Sequence, residues 1–212
     1  MGIIQTRGRP AIVDAMVSSN AGTPLTITLP RKRHAGLLAV VFIGALGGTA
    51  TPGLPSGWTT MGSSASSASI PGNQIAYKFL NGSEALTTSS ASTGASAMNA
   101  ICLAISGCIS NVVPQTVTNS TGSSTTPNPT FLGATTPYNG ILRILHYLAN
   151  SSTITETQFP ANFGRFRILQ QNNSLTNSLI VEDRLVESSL TPGQWTISAS
   201  QSWRASHAAI RR

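Results

Sequence analysis

The chain has 212 residues, 40% of them apolar, and only 9% charged against roughly 25% in an ordinary domain. That length allows one large β domain or two small ones with a buried core, and so little charge argues against charge-driven disorder. The net charge of +7 comes from 13 Lys+Arg against 6 Asp+Glu, and the absence of a long basic run or interleaved aromatics disfavours nucleic-acid binding.

Residues 1–10 read as an extended arm carrying Arg7, Arg9 and a proline, with no apolar core of a secretory signal. Met1-Gly2 with Thr6 meets the myristoylation pattern only loosely, and no membrane attachment is expected. Ala11 to Ser18 and Leu25 to Leu29 predict two strands around the turn at Ser19 to Gly22; a short helix over Ala11 to Met16 is the one alternative. Leu25-Thr-Ile-Thr-Leu29 alternates strictly, so one face meets a core and the other meets solvent. Arg31-Lys32-Arg33 then feeds the most apolar run of the chain, Leu37 to Ile43. That run is too short to cross a membrane and rich in valine, which fits a strand buried on both faces.

A turn-rich stretch follows, then a short strand at Trp58 to Met61 and a Ser/Ala-rich loop over residues 62–72. Gln74 to Leu80 alternates, with Ile75, Tyr77 and Phe79 on one side, and ends at the tight-turn pair Asn81-Gly82. Glu84 is expected to serve that turn. Leu86 to Ser90 and Ala97 to Ser106 complete the half as strands, and residues 107–137 cross to the second half, with strands expected near Gln115 to Asn119 and Thr130 to Leu132. Cys102 and Cys108 are six residues apart, roughly 20 Å in one extended strand, so two free or buried thiols are expected rather than a disulfide.

Asn139 to Leu148 repeats the pattern of the first apolar run. Leu37 answers Ile141 and Ile75 answers Leu179, each 104 positions on, and Ile105 answers Ile210, 105 positions on. Pro55-Ser-Gly-Trp-Thr answers Pro160-Ala-Asn-Phe-Gly in the same way. Each half leaves an apolar face that the other can bury. The expected fold is therefore all-β, a two-sheet β-sandwich of jelly-roll or Greek-key type built from two pseudo-repeated halves, about 25–110 and 130–212, after an N-terminal arm and first strand over 1–24. Because Arg143 and His146 interrupt the second apolar run, that strand is expected to be less fully buried than the first, or to face a partner.

The ordered segments Leu25-Thr-Ile-Thr-Leu-Pro30, Ala35-Gly-Leu-Leu-Ala-Val-Val41, Pro55-Ser-Gly-Trp-Thr59 and Tyr77-Lys-Phe-Leu-Asn-Gly-Ser-Glu84, closed by Ile180-Val-Glu-Asp-Arg184 and a final strand from Trp203 to Arg212, resemble a family of bacteriophage virion proteins. The resemblance spans residues 25–212. The chain departs from it at His34-Ala-Gly36, which lacks the usual acidic residue after the glycine, and at Pro160-Ala-Asn-Phe163. It implies a β-sandwich on a virion surface, of tail, fibre or decoration type, with no catalytic residues.

No nucleophile elbow, phosphate loop or metal-ligand spacing is present, and no cofactor is expected. His146, His207 and Glu182 could imitate a site, but each reads better as a strand residue with its polar tip satisfied. The expected activity is structural: a capsid-surface decoration protein docking on other virion subunits through Arg7, Arg9, Arg31, Lys32 and Arg33, and forming a homo-oligomer. The alternative is a tail or fibre-associated module binding a host receptor or surface glycan, with Trp58, Trp195 and Trp203 as contact aromatics. Two coplanar exposed aromatics would favour that alternative.

Overall fold

Alternation of side chains decides which core each strand serves. In the computed structural model, which describes residues 10–49, 51–108, 115–130, 141–160, 166–184 and 193–211, the first apolar run is strand β3. The strands in chain order are β1 (Ala11–Asn20), β2 (Leu25–Thr28), β3 (Leu38–Leu46), β4 (Thr59–Ser64), β5 (Gly72–Phe79), β6 (Thr87–Ser90), β7 (Ala97–Ser106), β8 (Gln115–Ser124), β9 (Ile141–Ala149), β10 (Glu156–Gln158), β11 (Phe166–Asn172), β12 (Leu175–Arg184), β13 (Thr196–Ile197) and β14 (Gln201–Arg211). The protein is all-β, and the stretch from Ala11 that admitted a helix is strand. Thr130, where a further strand was expected to begin, has no regular structure, and Phe131 and Leu132 lie outside the described residues.

Two five-stranded antiparallel sheets pack face to face as a β-sandwich. The first has the order β1-β7-β3-β5-β4, and the second the order β11-β12-β9-β14-β8. Even-numbered residues of β3 (Leu38, Val40, Phe42) enter the core between the sheets, where they meet Leu142, Ile144, Leu179, Val181, Ala208 and Ile210 of the second half. Odd-numbered residues (Ala39, Val41, Ile43, Ala45) enter a separate outer core under β2 with Leu25 and Ile27. With β5 and β7 paired to its two edges, β3 has no solvated face. This explains why it reads as a continuous apolar run and not as an alternating one.

The second half repeats this arrangement. Its outer core holds Leu145, Tyr147, Ile154, Ile180, Trp195, Ile197 and Trp203. A short ladder covers each outer core: β2 with β6 on the first sheet, and β13 with β10 and residues 125–127 on the second. The registers coincide. Leu38 pairs with Phe79 in the first sheet, and Leu142 with Asp183 in the second, both members 104 positions on. Leu38 also pairs with Ile105, and Leu142 with Ile210, 104 and 105 positions on. The edge strands β1 and β8 each carry a register shift, the usual way to bend an edge away from foreign strands.

Equivalent residues of β3 and β9 touch each other across the sandwich. Phe42 and His146 meet ring to ring, tilted by 41°, with centroids 5.0 Å apart. A Cβ added to Gly44 would come within 2.5 Å of a Leu148 methyl. Residues that meet their own counterparts lie on a two-fold axis, so the halves are related by a pseudo-two-fold passing between β3 and β9.

β9 corrects one expectation. Leu142 to Ala149 is buried throughout, with Arg143 only 1% and His146 0% exposed. The polar residues turn to intramolecular partners, His146 to Asn177 and Arg143 to His207, though Nδ1 of each histidine has no hydrogen-bond partner among the described residues.

Candidate anion-binding cleft

The basic cluster lies in the connection from β2 to β3. Leu29 N–H still donates to the Leu86 carbonyl (2.8 Å). Pro30 has no N–H to offer, and the chain leaves the ladder there. It is tied down again at Gly36, whose N–H donates to the Leu80 carbonyl (2.9 Å), while Leu80 N–H donates back to the Leu37 carbonyl (2.8 Å). Asp14 on β1 pins the middle by accepting the Lys32 N–H through Oδ2 (3.0 Å). That N–H bond is the main reason the Asp14 carboxyl sits below its ordinary pKa.

Opposite this loop stands the β5–β6 turn. Gly82 has φ +90° and approaches the backbone N of Ala35 so closely that a Cβ would lie 3.3 Å from it, so the turn needs glycine on both counts. Glu84 serves the turn, as its position suggests. Its Oε1 accepts from Asn81 N–H (2.9 Å) and its Oε2 from Gly82 N–H (3.0 Å). Ser83 donates to Asn81 Oδ1 through both its N–H (2.8 Å) and its hydroxyl (2.7 Å). Burial of Glu84 opposes its charge, but these N–H groups and Lys78, 3.7 Å away, prevail and lower its pKa.

The two loops border an open cleft of about 590 Å³ lined by Arg31, Arg33, His34, Ala35, Asn81, Gly82 and Ser83. Arg31 and Lys32 are exposed, and Arg33 is half-buried. Arg33 Nη1 is shielded from solvent and has no hydrogen-bond acceptor among the described residues. The nearby carboxylates, Asp14 and Glu84, are already committed to backbone N–H groups. The cleft therefore offers donors with few acceptors, the electrostatics of an oxyanion site.

Sequence reasoning thus named three residues of this loop, two of which line the cleft, and missed His34, Asn81 and Ser83. Only the Gly36–Leu80 ties bring these into place. Arg7 and Arg9 lie outside the described residues. At the 104-residue offset the second half carries Thr135-Thr-Pro-Tyr138, so the cationic composition belongs to one half alone.

The three tryptophans are interior. Trp58 is 7%, Trp195 0% and Trp203 7% exposed. Trp195 packs edge-on against Tyr147, centroids 4.9 Å apart, and the Trp203 indole N–H donates to Ser124 Oγ (3.0 Å). They form no exposed platform, so the expectation of surface contact aromatics is not met. Phe159, 40% exposed, lies beneath the Arg167 guanidinium, 4.4 Å from the ring centre.

The buried polar groups around the two histidines and Glu156 fall into separate clusters, and the β-register says why. His146 pairs with Ser206, and His207 with Leu145, so the two histidines leave opposite faces of the sheet and do not form a pair. His146 faces the seam between the sheets and bonds Asn177 Oδ1 through Nε2 (2.9 Å). Asn177 Nδ2 donates to Asn99 Oδ1 (3.1 Å) and to the Phe42 carbonyl (3.2 Å). Its equivalent Asn73, 104 positions earlier, donates to Asn119 Oδ1 and Ser206 Oγ (both 3.0 Å). The Asn73 Oδ1 has no partner among the described residues, because its counterpart of His146 is Phe42, which has no N–H to donate.

His207, on the outer face, accepts from Arg143 Nε (3.1 Å) and lies 3.0 Å from Nη2. Burial, then the Arg143 charge, drives its pKa to about 3. In the third cluster, Glu156 is buried beside Tyr147, accepts from Ser178 Oγ and pairs with Arg167 Nε at 3.0 Å. Ser178 is 0% exposed, so no substrate reaches its hydroxyl. Cys102 and Cys108 are free and buried, with burial raising both thiol pKa values. Among the described residues no group of three His, Cys, Asp or Glu is placed to hold a metal ion. No family model, curated protein or solved structure matches the chain.

Proposed function

We propose that the chain is a non-enzymatic bacteriophage virion protein, a capsid-surface decoration protein that docks on the major capsid subunit. One observation supports this above the others: the cationic cleft, where Arg31 is exposed and Arg33 half-buried while the nearby carboxylates already accept backbone N–H groups. A surface of hydroxyls and amides with so little charge suits a protein whose solubility is shared with an assembly. The ordered motifs from Leu25 to Arg212 point the same way. In this reading the arm at residues 1–10, with Arg7 and Arg9, reaches the neighbouring subunit, and Arg31, Lys32 and Arg33 hold an acidic surface.

The second reading is a tail or fibre-associated module that binds a host glycan. Burial of all three tryptophans weighs against it, since sugar rings stack on exposed aromatic faces. The exposed Phe159 already carries Arg167 on its ring.

Deleting residues 1–10 tests the docking reading. The truncated protein should keep the far-UV circular dichroism of the full chain, because the described core begins beyond the arm, and should be missing from purified particles. Normal incorporation of the truncated chain would overturn it.

A further inference from the structure

We propose that the Arg31/Arg33 cleft is a carboxylate receptor that takes an acidic, extended peptide segment of a partner protein. This names the chemistry of the docking reading and rests on it. The argument is an inventory of what each cleft group has left to offer. Asn81 Oδ1 is spent on the Ser83 N–H and hydroxyl, which leaves the Asn81 Nδ2 amide as a donor. Arg33 Nη1 has no acceptor among the described residues but is shielded from solvent, so the half-buried Arg33 has to turn this nitrogen outward to meet a guest, whereas Arg31 is exposed and lines the same space. Two planar guanidinium forks and one amide N–H₂ suit a planar, two-oxygen guest.

Phosphate fits less well. Arginine forks take phosphate as well as carboxylate, but a phosphate cradle adds successive backbone N–H groups. Here the N–H groups of Asn81, Gly82 and Ser83 are already taken, the first two by the Glu84 carboxylate and the third by Asn81 Oδ1. The protein's own carboxylate fills the place a phosphate would use, and the guest meets side-chain donors only. Among the described residues no Phe, Tyr or Trp lines the cleft and the His34 imidazole is the one ring there, a smaller stacking surface than single-stranded nucleic acid or a sugar ring usually finds. The remaining class is Asp or Glu side chains, or a C-terminal carboxylate, on a segment extended enough to enter an open cleft.

Titration calorimetry on the full-length protein tests this. The probes are a short Asp/Glu-rich peptide, the same peptide with Asn and Gln in place of its acids, inorganic phosphate, an acidic glycan and a short oligothymidylate. The acidic peptide should bind, its neutral counterpart should not, and affinity should fall as salt rises. Arg33→Lys keeps the charge but removes the fork, and should weaken the peptide by on the order of tenfold; Arg31→Ala/Arg33→Ala should abolish binding while the thermal transition is retained. No binding of the acidic peptide, equal or tighter binding of phosphate, glycan or oligonucleotide, or an unchanged affinity in Arg33→Lys would overturn the assignment. Particle incorporation separates the two readings. A double variant that loses the peptide yet enters particles normally refutes docking through the cleft and leaves the receptor assignment standing. Loss of incorporation by a protein that never bound the peptide refutes the carboxylate assignment alone.

Discussion

His146 and Phe42 occupy equivalent places on the pseudo-two-fold axis, and the difference between them has a measurable consequence. Burial holds the His146 pKa near 4, with the Asn177 hydrogen bond working weakly the other way. Between about pH 4 and the ordinary histidine value of 6.5, the unfolded chain therefore binds the proton and the native chain does not. Stability from this group is complete above pH 6.5 and falls as the pH drops toward 4, by on the order of 3 kcal/mol. His207, lowered further by burial and Arg143, acts in the same direction. Urea melts from pH 7 to pH 4.5 should thus show a falling midpoint. His146→Phe copies the first half at this position: it should cost about 1 kcal/mol at pH 7, through the lost bond to Asn177, and flatten the pH slope. An unchanged slope would mean that the acid sensitivity lies elsewhere.

Asn73 and Asn177 belong to the same scale. Their equivalence lay in the sequence, two residues before the matched pair Ile75 and Leu179. It was invisible to a reading that tracked apolar periodicity, because buried amides look like loop residues until a partner strand is known. Asn177 makes three side-chain bonds, two across the seam and one to His146 within its own sheet, and Asn73 makes two, both across the seam. Asn177→Ala should cost roughly 2–3 kcal/mol and Asn73→Ala about 1 kcal/mol, in keeping with the orphaned Oδ1 of Asn73. Equal costs measured by chemical denaturation would contradict this account of the asymmetry.

Among the elements, β3 and β9 show how far pattern reading reaches. The run Leu37 to Ile43 was legible as a doubly buried strand because every position is apolar. β9 was misread because Arg143 and His146 were weighed as solvent-seeking, whereas register places Arg143 beside His207 and His146 beside Asn177. The offsets of 104 and 105 residues were legible because the two registers leave no freedom: a slip of one residue would turn each strand's apolar set outward. Gly44 was not legible as a packing residue. It makes room for Leu148, and an added methyl would also lie 2.9 Å from Asn99 Oδ1. Gly44→Ala should lower stability by 1–3 kcal/mol. Pairing it with Leu148→Ala should recover part of the Gly44→Ala loss, as a positive coupling in a double-mutant cycle. Strict additivity would place the clash elsewhere.

In the whole molecule, the core between the sheets takes residues from both halves, while each half keeps an outer core of its own. Breaking the seam would expose Phe42, Ile75, Ile101, Leu103, Ile144 and Leu179 together, so the two halves should unfold in one cooperative step. Scanning calorimetry should give one transition with matching calorimetric and van't Hoff enthalpies; two resolved transitions would show that the outer cores suffice alone. The candidate site is less legible than the fold for a related reason. A fold is specified by many residues acting in the same sense, but the cleft depends on seven residues from two loops distant in sequence. The cationic half of it, Arg31 to Arg33, is conspicuous in a chain this poor in charge, and the Asn81 to Ser83 half looks like an ordinary turn.

The central claim, that this sandwich is a virion surface protein held through its cationic cleft, is tested most directly by electron cryomicroscopy of the phage particle. The account predicts density on the capsid surface that accepts two stacked five-stranded sheets, with the 31–33 loop against an acidic stretch of the shell subunit. Particles without such density, or with the cleft turned to solvent, would contradict it.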